Sequence, residues 1–393
     1  MQNNTWPNYS SKEINKVVDV IKSGKVNYVN GLIGKKFEYL FSKWVNRKYS
    51  VALSNGTVAL ELAIKSLKLP DKSEIMVTAR SFFSSASTIV RTGNIPKFID
   101  VDLFNQNILT EDIAKKITSK TKAIICVHLA GNPCEMKKII KIAKKYKLKI
   151  IEDCAQAHGA EIDKKKVGSF GDVATWSFCN DKIISTLGEG GMISTNDKKI
   201  YNFINSYKDH GLGFYKKIKK KEQFIYNKDY FGSNYRLTEV QSSVGINQLK
   251  NIKDTLKKRT YIATQYKKIF TEFNDFLYFY DPPVNIKPAW YRFYFFIRKD
   301  LIDYKNLRNQ VIQDLRKKKI ICNFGTCPEI YLEKAFKDSK YKLNKRLPNC
   351  KILGETSIAL DINHTLTKKN IQLNSKIIYQ TMKKLTKPYN QKL

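Results

Sequence analysis

Between Tyr49 and Asp153 the chain repeats one alternation, and that rhythm restricts its fold more than any other feature. Tyr49–Leu53 is a short run with strand character. Val58–Leu69 follows, with Leu60, Ala63, Ile64 and Leu67 at the spacing of one helix face. Ala123–Val127 is a continuous apolar run, Lys137–Tyr146 an amphipathic helix and Lys149–Asp153 another strand. A series of this kind builds a mostly parallel sheet with helices on both faces. The expected fold class is therefore α/β, with a three-layer αβα large domain. After about residue 250 the pattern changes. Asn251–Phe273 reads as a long helix, Trp290–Ile297 as an alternating strand and Leu301–Lys318 as another helix. Residues 1–250 are expected to form the large domain with an N-terminal arm, and residues 251–393 a smaller α+β domain. A chain of 393 residues accommodates both.

In such sheets ligands bind beyond the carboxyl ends of the strands. Ser54-Asn55-Gly56-Thr57 lies at one such end, ahead of a helix, and Asp153 lies at another. In the plainest reading Asn55 or Thr57 caps the helix. Alternatively the helix N-terminal amides bind a phosphate, with the Thr57 hydroxyl assisting. Asp153 is likewise either a cap or a carboxylate turned to a ligand. A third segment, Trp176–Lys182 followed by Gly188-Glu189-Gly190-Gly191, sets Ser177 five residues before Lys182. A lysine is usually a solvated surface charge. Beside a glycine-rich turn it can instead reach a crowded pocket and form a Schiff base with a carbonyl.

Together the three segments supply what pyridoxal 5'-phosphate needs. Lys182 offers the amine and Ser177 a hydroxyl for the phosphate. Asp153 would keep the ring nitrogen protonated, so that the ring withdraws electrons from a carbanion. Gln156 is placed to hydrogen-bond the ring hydroxyl. Phe82, after a strand at Ile75–Val77, is either ordinary core or stacks on the ring.

Charge points elsewhere at first. Lys and Arg number 71 against 35 Asp and Glu, a formal net charge of +36. Such a balance suits nucleic acid. The basic runs Lys216–Lys221 and Arg316–Lys319, however, read as solvated faces or loops, and plentiful Lys, Asn and Ile fit an AT-rich coding sequence. No nucleic-acid partner is therefore expected; some of the charge could attract a phosphorylated substrate. The seven cysteines are scattered, odd in number and without metal-ligand spacing. They read as free thiols of a reducing, cytoplasmic protein. The polar start Met1–Thr5 has no signal-peptide pattern, and no apolar run approaches a membrane span.

From about Asn27 onward the chain resembles the DegT/DnrJ/EryC1/StrS sugar aminotransferases, within the fold-type I pyridoxal-phosphate enzymes. The resemblance rests on Phe37-Glu38, Ser54–Leu60, Asp100-Val101-Asp102, Glu152–Ala157, Ser177-Phe178 with Lys182, Gly188–Gly191, His210-Gly211 and Asn234-Tyr235-Arg236. Each motif is modest; their joint order and spacing are specific. The resemblance implies that Lys182 carries the Schiff base and that Asp153 pairs with the ring nitrogen. It implies that Gln156 meets the ring hydroxyl and that Phe82 stacks. The Gly56 backbone, Thr57 and Ser177 would hold the phosphate, with Asn234 reaching it from the partner of a homodimer. It also implies transfer of nitrogen from L-glutamate to a nucleotide-linked keto-sugar, for a polysaccharide, a glycan or a sugar-bearing metabolite. The chain departs from the family at Thr78-Ala79-Arg80-Ser81, at Ser242-Ser243 and at His364-Thr365.

Two other readings compete. Related sugar dehydratases of this fold carry histidine in place of the lysine, so Lys182 speaks against that class. A non-catalytic nucleic-acid-binding regulator would show salt-dependent DNA binding and no cofactor absorbance.

Overall fold

The computed structural model describes residues 6–213, 228–301 and 303–390, with backbone only for 389 and 390. Met1–Thr5 and the run Lys216–Lys221 lie outside the described residues. Five parallel or near-parallel strand units dominate the first half: β1 (Tyr49–Leu53), β2 (Glu74–Thr78), β3 (Ile95–Ile99), β4 (Thr121–Val127) and β5 (Lys149–Asp153). After the short β6 (Glu161–Ile162) and β7 (Lys165–Lys166), β8 (Val173–Ser177) and β9 (Gly191–Thr195) complete one seven-stranded sheet. Its order is β1-β9-β8-β5-β4-β2-β3. Neighbours from β8 to β3 are parallel, and β9 runs antiparallel to both β1 and β8.

The expected three-layer α/β architecture is present, and β4 illustrates its cause. Successive side chains on a strand point to opposite faces. Ala123, Ile125 and Val127 enter the core beneath the helix Gly56–Ser66. Ile124 and Cys126 enter the core beneath the helix Met136–Tyr146. A strand apolar at every position is what two covered faces require.

A second, antiparallel sheet follows in the order β10 (Leu277–Phe279), β12 (Arg292–Ile297), β14 (Ser357–Asp361) and β13 (Cys322–Asn323). The remaining strand, β11 (Ile286–Lys287), pairs with β6 and ties the two halves of the chain together. The expected alternation over Trp290–Ile297 is absent, because β12 is covered on both faces. Phe293, Phe295 and Ile297 pack in the core of the second sheet. Tyr294 and Phe296 pack in the core of the first.

The long helix is Glu239–Thr271, beginning well before Asn251. Its first turns carry Ser242, Ser243, Gly245 and Asn247, which lack the apolar periodicity that marks a helix. The start is signalled by a capping box instead: Gln241 N–H donates to Thr238 Oγ1 at 3.3 Å, and Thr238 N–H to Gln241 Oε1 at 3.2 Å. Gly245 permits close packing, since a Cβ there would lie 2.6 Å from the Phe37 ring. Residue 250, the expected boundary, falls inside this helix. Ile246, Leu249 and Ile252 join the core around Phe37 and Trp176, while Ile262, Tyr266 and Phe270 join that of β12. Among the described residues no helix is long and apolar enough to cross a membrane. The run Arg316–Lys319 lies at a helix C-terminus, where Arg316 donates to the Cys322 carbonyl and Lys318 to Thr381.

A buried ion pair joins the helix Ile33–Val45 to β1. Lys208 Nζ lies 2.8 Å from Glu38 Oε1, which also accepts the Ala52 N–H at 2.8 Å. Tyr28 donates its hydroxyl to the same carboxylate, and its ring lies under the Lys208 ammonium. Burial pushes the Lys208 pKa down, and Glu38 works against that shift. Removing one member strands the other in the core, which costs about 3–5 kcal/mol. Lys208→Met is expected to lower unfolding stability by that order in urea titrations, with a larger loss than Lys208→Met in a Glu38→Gln background.

Candidate active site

The seven-stranded sheet delivers its chemistry to one edge. Leu53, Thr78, Asp153 and Ser177 are the last residues of β1, β2, β5 and β8, and each strand leads directly into a candidate segment. These segments surround a cavity of about 660 Å³. Gly56, Thr57, Phe82, Asp153, Gln156, Ser177 and Lys182 all line it, and Asn234 does not.

Strand alternation separates the two carboxylates that end β5. Glu152 turns away from the cavity and accepts the N–H groups of Gly168, Phe170 and Gly171, each at 2.7 Å. His128 Nε2 is 3.2 Å away and Arg47 3.6 Å. Burial works against its charge, but His128, the Gly171 N–H and Arg47 hold its pKa below the usual range. Glu152 thus organises the turn that feeds β8. It also lies within 4.8 Å of His128 and Cys154, a metal-like trio, yet its oxygens are already committed to these donors.

Asp153 faces the cavity with less support. Ser85 Oγ donates to Oδ2 at 3.0 Å and the Ala155 N–H to Oδ1 at 3.2 Å. Burial raises its pKa, against these two donors and the nearby Lys182 charge. A buried carboxylate in this condition gains by facing a cationic donor. Asp153 does not cap a helix; Asn55 does, accepting the Val58 N–H at 2.9 Å.

Gly56 opens the helix Gly56–Ser66 directly against Ser177. A Cβ on Gly56 would lie 2.7 Å from the Ser177 Cβ. Only glycine brings the helix N-terminal amides and that hydroxyl so close, with Thr57 beside them, a set of donors of the kind that suits an anion. Gln156 Oε1 accepts the Ala130 N–H at 2.8 Å, which leaves the amide NH₂ as its donor. Phe82 is not core: it is 65% exposed at the cavity, whereas its neighbour Phe83 packs on Phe336.

Lys182 lies in the turn between β8 and β9. Its Nζ is 3.0 Å from Asp181 Oδ1 and 3.1 Å from the Tyr291 hydroxyl. Burial opposes its charge, but Tyr291 and Asp181 outweigh burial and raise its pKa. Sequence reasoning missed these partners. Tyr291 and Arg292 come from the second sheet and line the same cavity. The N-terminal arm was expected, but not its contacts with the lysine segment. Trp6 donates its indole N–H to the Lys182 carbonyl at 2.7 Å, and Tyr9 Oη accepts the Leu187 N–H at 3.1 Å. The Trp6 ring also lies 4.3 Å from that of His364, so the departure at His364-Thr365 sits beside the lysine segment.

Asn234 is exposed and bridges Asp209. It does not open the long helix; Thr238 holds the cap position. It stands apart from the other seven candidates.

Comparisons with known proteins bear on the family and the fold. The sequence profile of the DegT/DnrJ/EryC1/StrS aminotransferase family matches residues 7–377, starting ahead of Asn27. GDP-perosamine synthase of Escherichia coli O157:H7 is 40% identical over 246 residues, 63% of this chain and 64% of that protein. The crystal structure of an aminotransferase from Psychrobacter cryohalolentis is 37% identical, with a TM-score of 0.93 over 97% of this chain and 99% of that one. The E. coli GDP-4-keto-6-deoxy-D-mannose-3-dehydratase with bound hydrated PLP is 25% identical, with a TM-score of 0.85 over 95% and 99%. The donor set at this cavity fits pyridoxal phosphate: an amine, an under-compensated buried carboxylate and an anion site closed by Gly56 and Ser177.

Gly56→Ala tests that closure. The added methyl must push Ser177 away from the helix N-terminus. Pyridoxal-phosphate binding, followed by quenching of tryptophan fluorescence, is expected to weaken about tenfold, or 1.4 kcal/mol, with circular dichroism unchanged.

Proposed function

The chain belongs to the DegT/DnrJ/EryC1/StrS aminotransferase family, and we propose that it moves the amino group of L-glutamate to a keto group on a nucleotide-linked sugar. The product would enter a polysaccharide, a glycan or a sugar-bearing metabolite. One observation carries the reading: a buried carboxylate, Asp153, and a lysine amine, Lys182, face the same cavity. Bound pyridoxal phosphate supplies the electron sink that makes an amino-acid α-proton removable. Asp153 keeps the ring nitrogen protonated, and burial makes that carboxylate a strong partner for the cation. Gly56, Thr57 and Ser177 hold the phosphate, Phe82 covers the ring face and Gln156 donates to the ring hydroxyl. Lys182 would serve as general base toward the α-proton of the donor and as general acid in returning a proton. The same two transfers in reverse order serve the keto-sugar.

The proposed assembly is a homodimer with shared sites. Asn234 is exposed and outside its own cavity, as a residue serving a neighbour's phosphate must be. Ile14, Val18 and Ile21 form an exposed apolar stripe on the helix Ser11–Lys22, a face suited to burial against a second copy.

The purified protein is expected to be yellow, and borohydride to fix the cofactor on a peptide containing Lys182. Lys182→Ala should abolish glutamate-dependent amination of a panel of nucleotide keto-sugars. Asp153→Asn should lose more than a hundredfold in rate with the fold intact, about 3 kcal/mol of transition-state stabilisation. Full activity in either variant would defeat the reading.

Subunit mixing checks the shared site. A Lys182→Ala protomer keeps a sound Asn234, and an Asn234→Ala protomer keeps Lys182. Mixed dimers are expected to exceed the summed activity of the two parents. Heterodimers that form and restore nothing would count against sharing.

A further inference from the structure

Lys182 is held by a closed set of polar groups that contacts to a cofactor do not account for. Its Nζ touches one oxygen of Asp181 at 3.0 Å and the Tyr291 hydroxyl at 3.1 Å. Tyr291 donates that hydroxyl to the other oxygen of Asp181. The three groups therefore form a triangle, with the ammonium at one corner. It is braced from outside. Arg292 lies 3.6 Å from Asp181 and also pairs with Asp361 across β12 and β14. Lys182 is anchored at its backbone by Trp6.

We propose that Asp181 and Tyr291 form a holding site for the Lys182 ammonium, occupied whenever that amine is not covalently engaged, and that the pair sets the pH at which Lys182 turns into a nucleophile and base. The inference rests on Lys182 being the Schiff-base lysine. An ammonium has no lone pair, so one N–H proton must leave before the nitrogen adds to an aldehyde carbon; as C=N then replaces C=O, the oxygen departs as water with the two remaining N–H protons. Asp181 is half-exposed, which lets that proton pass to water. When the amine is freed again it regains a proton and returns to the triangle, within reach of the reacting carbons instead of swinging away. Tyr291 and Asp181 are positioning residues in this scheme.

The other groups around Lys182 leave Asp181 as the controlling charge. From the β5 side, Asp153 is buried and its own pKa is raised, and His158 is neutral, its pKa pushed down to about 3 by burial. Arg292 from β12 lies 3.6 Å from Asp181, and Arg259 from the long helix donates to the Tyr291 carbonyl; neither carries a negative charge that could hold the ammonium. Asp181 is the one carboxylate in hydrogen-bond contact with Nζ among the described residues. A carboxylate beside an ammonium favours the charged form. Removing it therefore moves the Lys182 titration to lower pH and raises the neutral fraction at pH 7.

The test reads cofactor loading and not turnover. The full chain is stripped of cofactor, pyridoxal phosphate is added across a pH series, and growth of the yellow absorbance band is timed. Borohydride followed by peptide mapping locates the attachment. In Asp181→Asn the loading midpoint is expected at lower pH, with loading at pH 7 on the order of tenfold faster. Tyr291→Phe should shift the midpoint the same way but less, since it removes a neutral hydrogen bond and not a charge. A merely structural role would slow loading at every pH in both variants. That outcome, or midpoints that coincide with the parent protein, overturns the holding site. Attachment at a lysine other than Lys182 in the parent protein overturns the Schiff-base reading itself.

Discussion

A carboxylate taken out of water must be compensated, and β5 ends on two that are treated in opposite ways. Alternation along the strand sends Glu152 and Asp153 to opposite faces. Glu152 is compensated wholly by protein, through three backbone N–H groups, His128 and Arg47. It thereby shapes the turn into β8 and decides where Ser177 and Lys182 emerge. Asp153 receives one hydroxyl and one amide, too little for a buried anion. The cavity lies over that deficit, and a cationic ring nitrogen is the kind of partner that removes it.

The second sheet completes the site because β12 belongs to two cores at once. Its odd-numbered aromatics bind the small sheet together, and Tyr294 and Phe296 lock it against the large one. That double anchorage places Tyr291 and Arg292, at the start of the strand, beside Lys182 with little freedom to drift. The lysine amine thus meets one neighbour in sequence, Asp181, and one residue from the far half of the chain, Tyr291. The long helix Glu239–Thr271 reinforces this by packing into both cores.

Scaffold and reaction remain separable. An aminotransferase and a dehydratase both superpose on this chain over nearly its full length. What distinguishes a chemistry is the side chain presented at the sheet edge, here an amine at position 182. The opposite cavity wall comes from Asn323 of β13 and from Gly325 and Thr326 just after it, facing the large-domain residues.

Much of this was legible in the sequence, where short-range signals sufficed. β1 and β5 have the expected bounds, because an apolar run flanked by turn residues is a local pattern. Seven of the eight candidate residues share one cavity, because each sits just past a strand and parallel strands end on one edge. The start of the long helix was missed since Ser242, Ser243, Gly245 and Asn247 are buried without being apolar. The double burial of β12 was missed since periodicity cannot tell which of two cores a residue enters. Glu152 and Asp153 are neighbours whose fates diverge only once the Gly168–Gly171 turn closes on one of them. Tyr291 and Lys182 are 109 positions apart. Spacing rules act over a few residues, whereas the field that holds a lysine charged acts across a few ångströms. Local sequence therefore determined the sheet, the edge on which the candidate residues gather and the position of Lys182 on it. Tertiary packing alone decided that Tyr291, from the far half of the chain, closes on Lys182 and its neighbour Asp181.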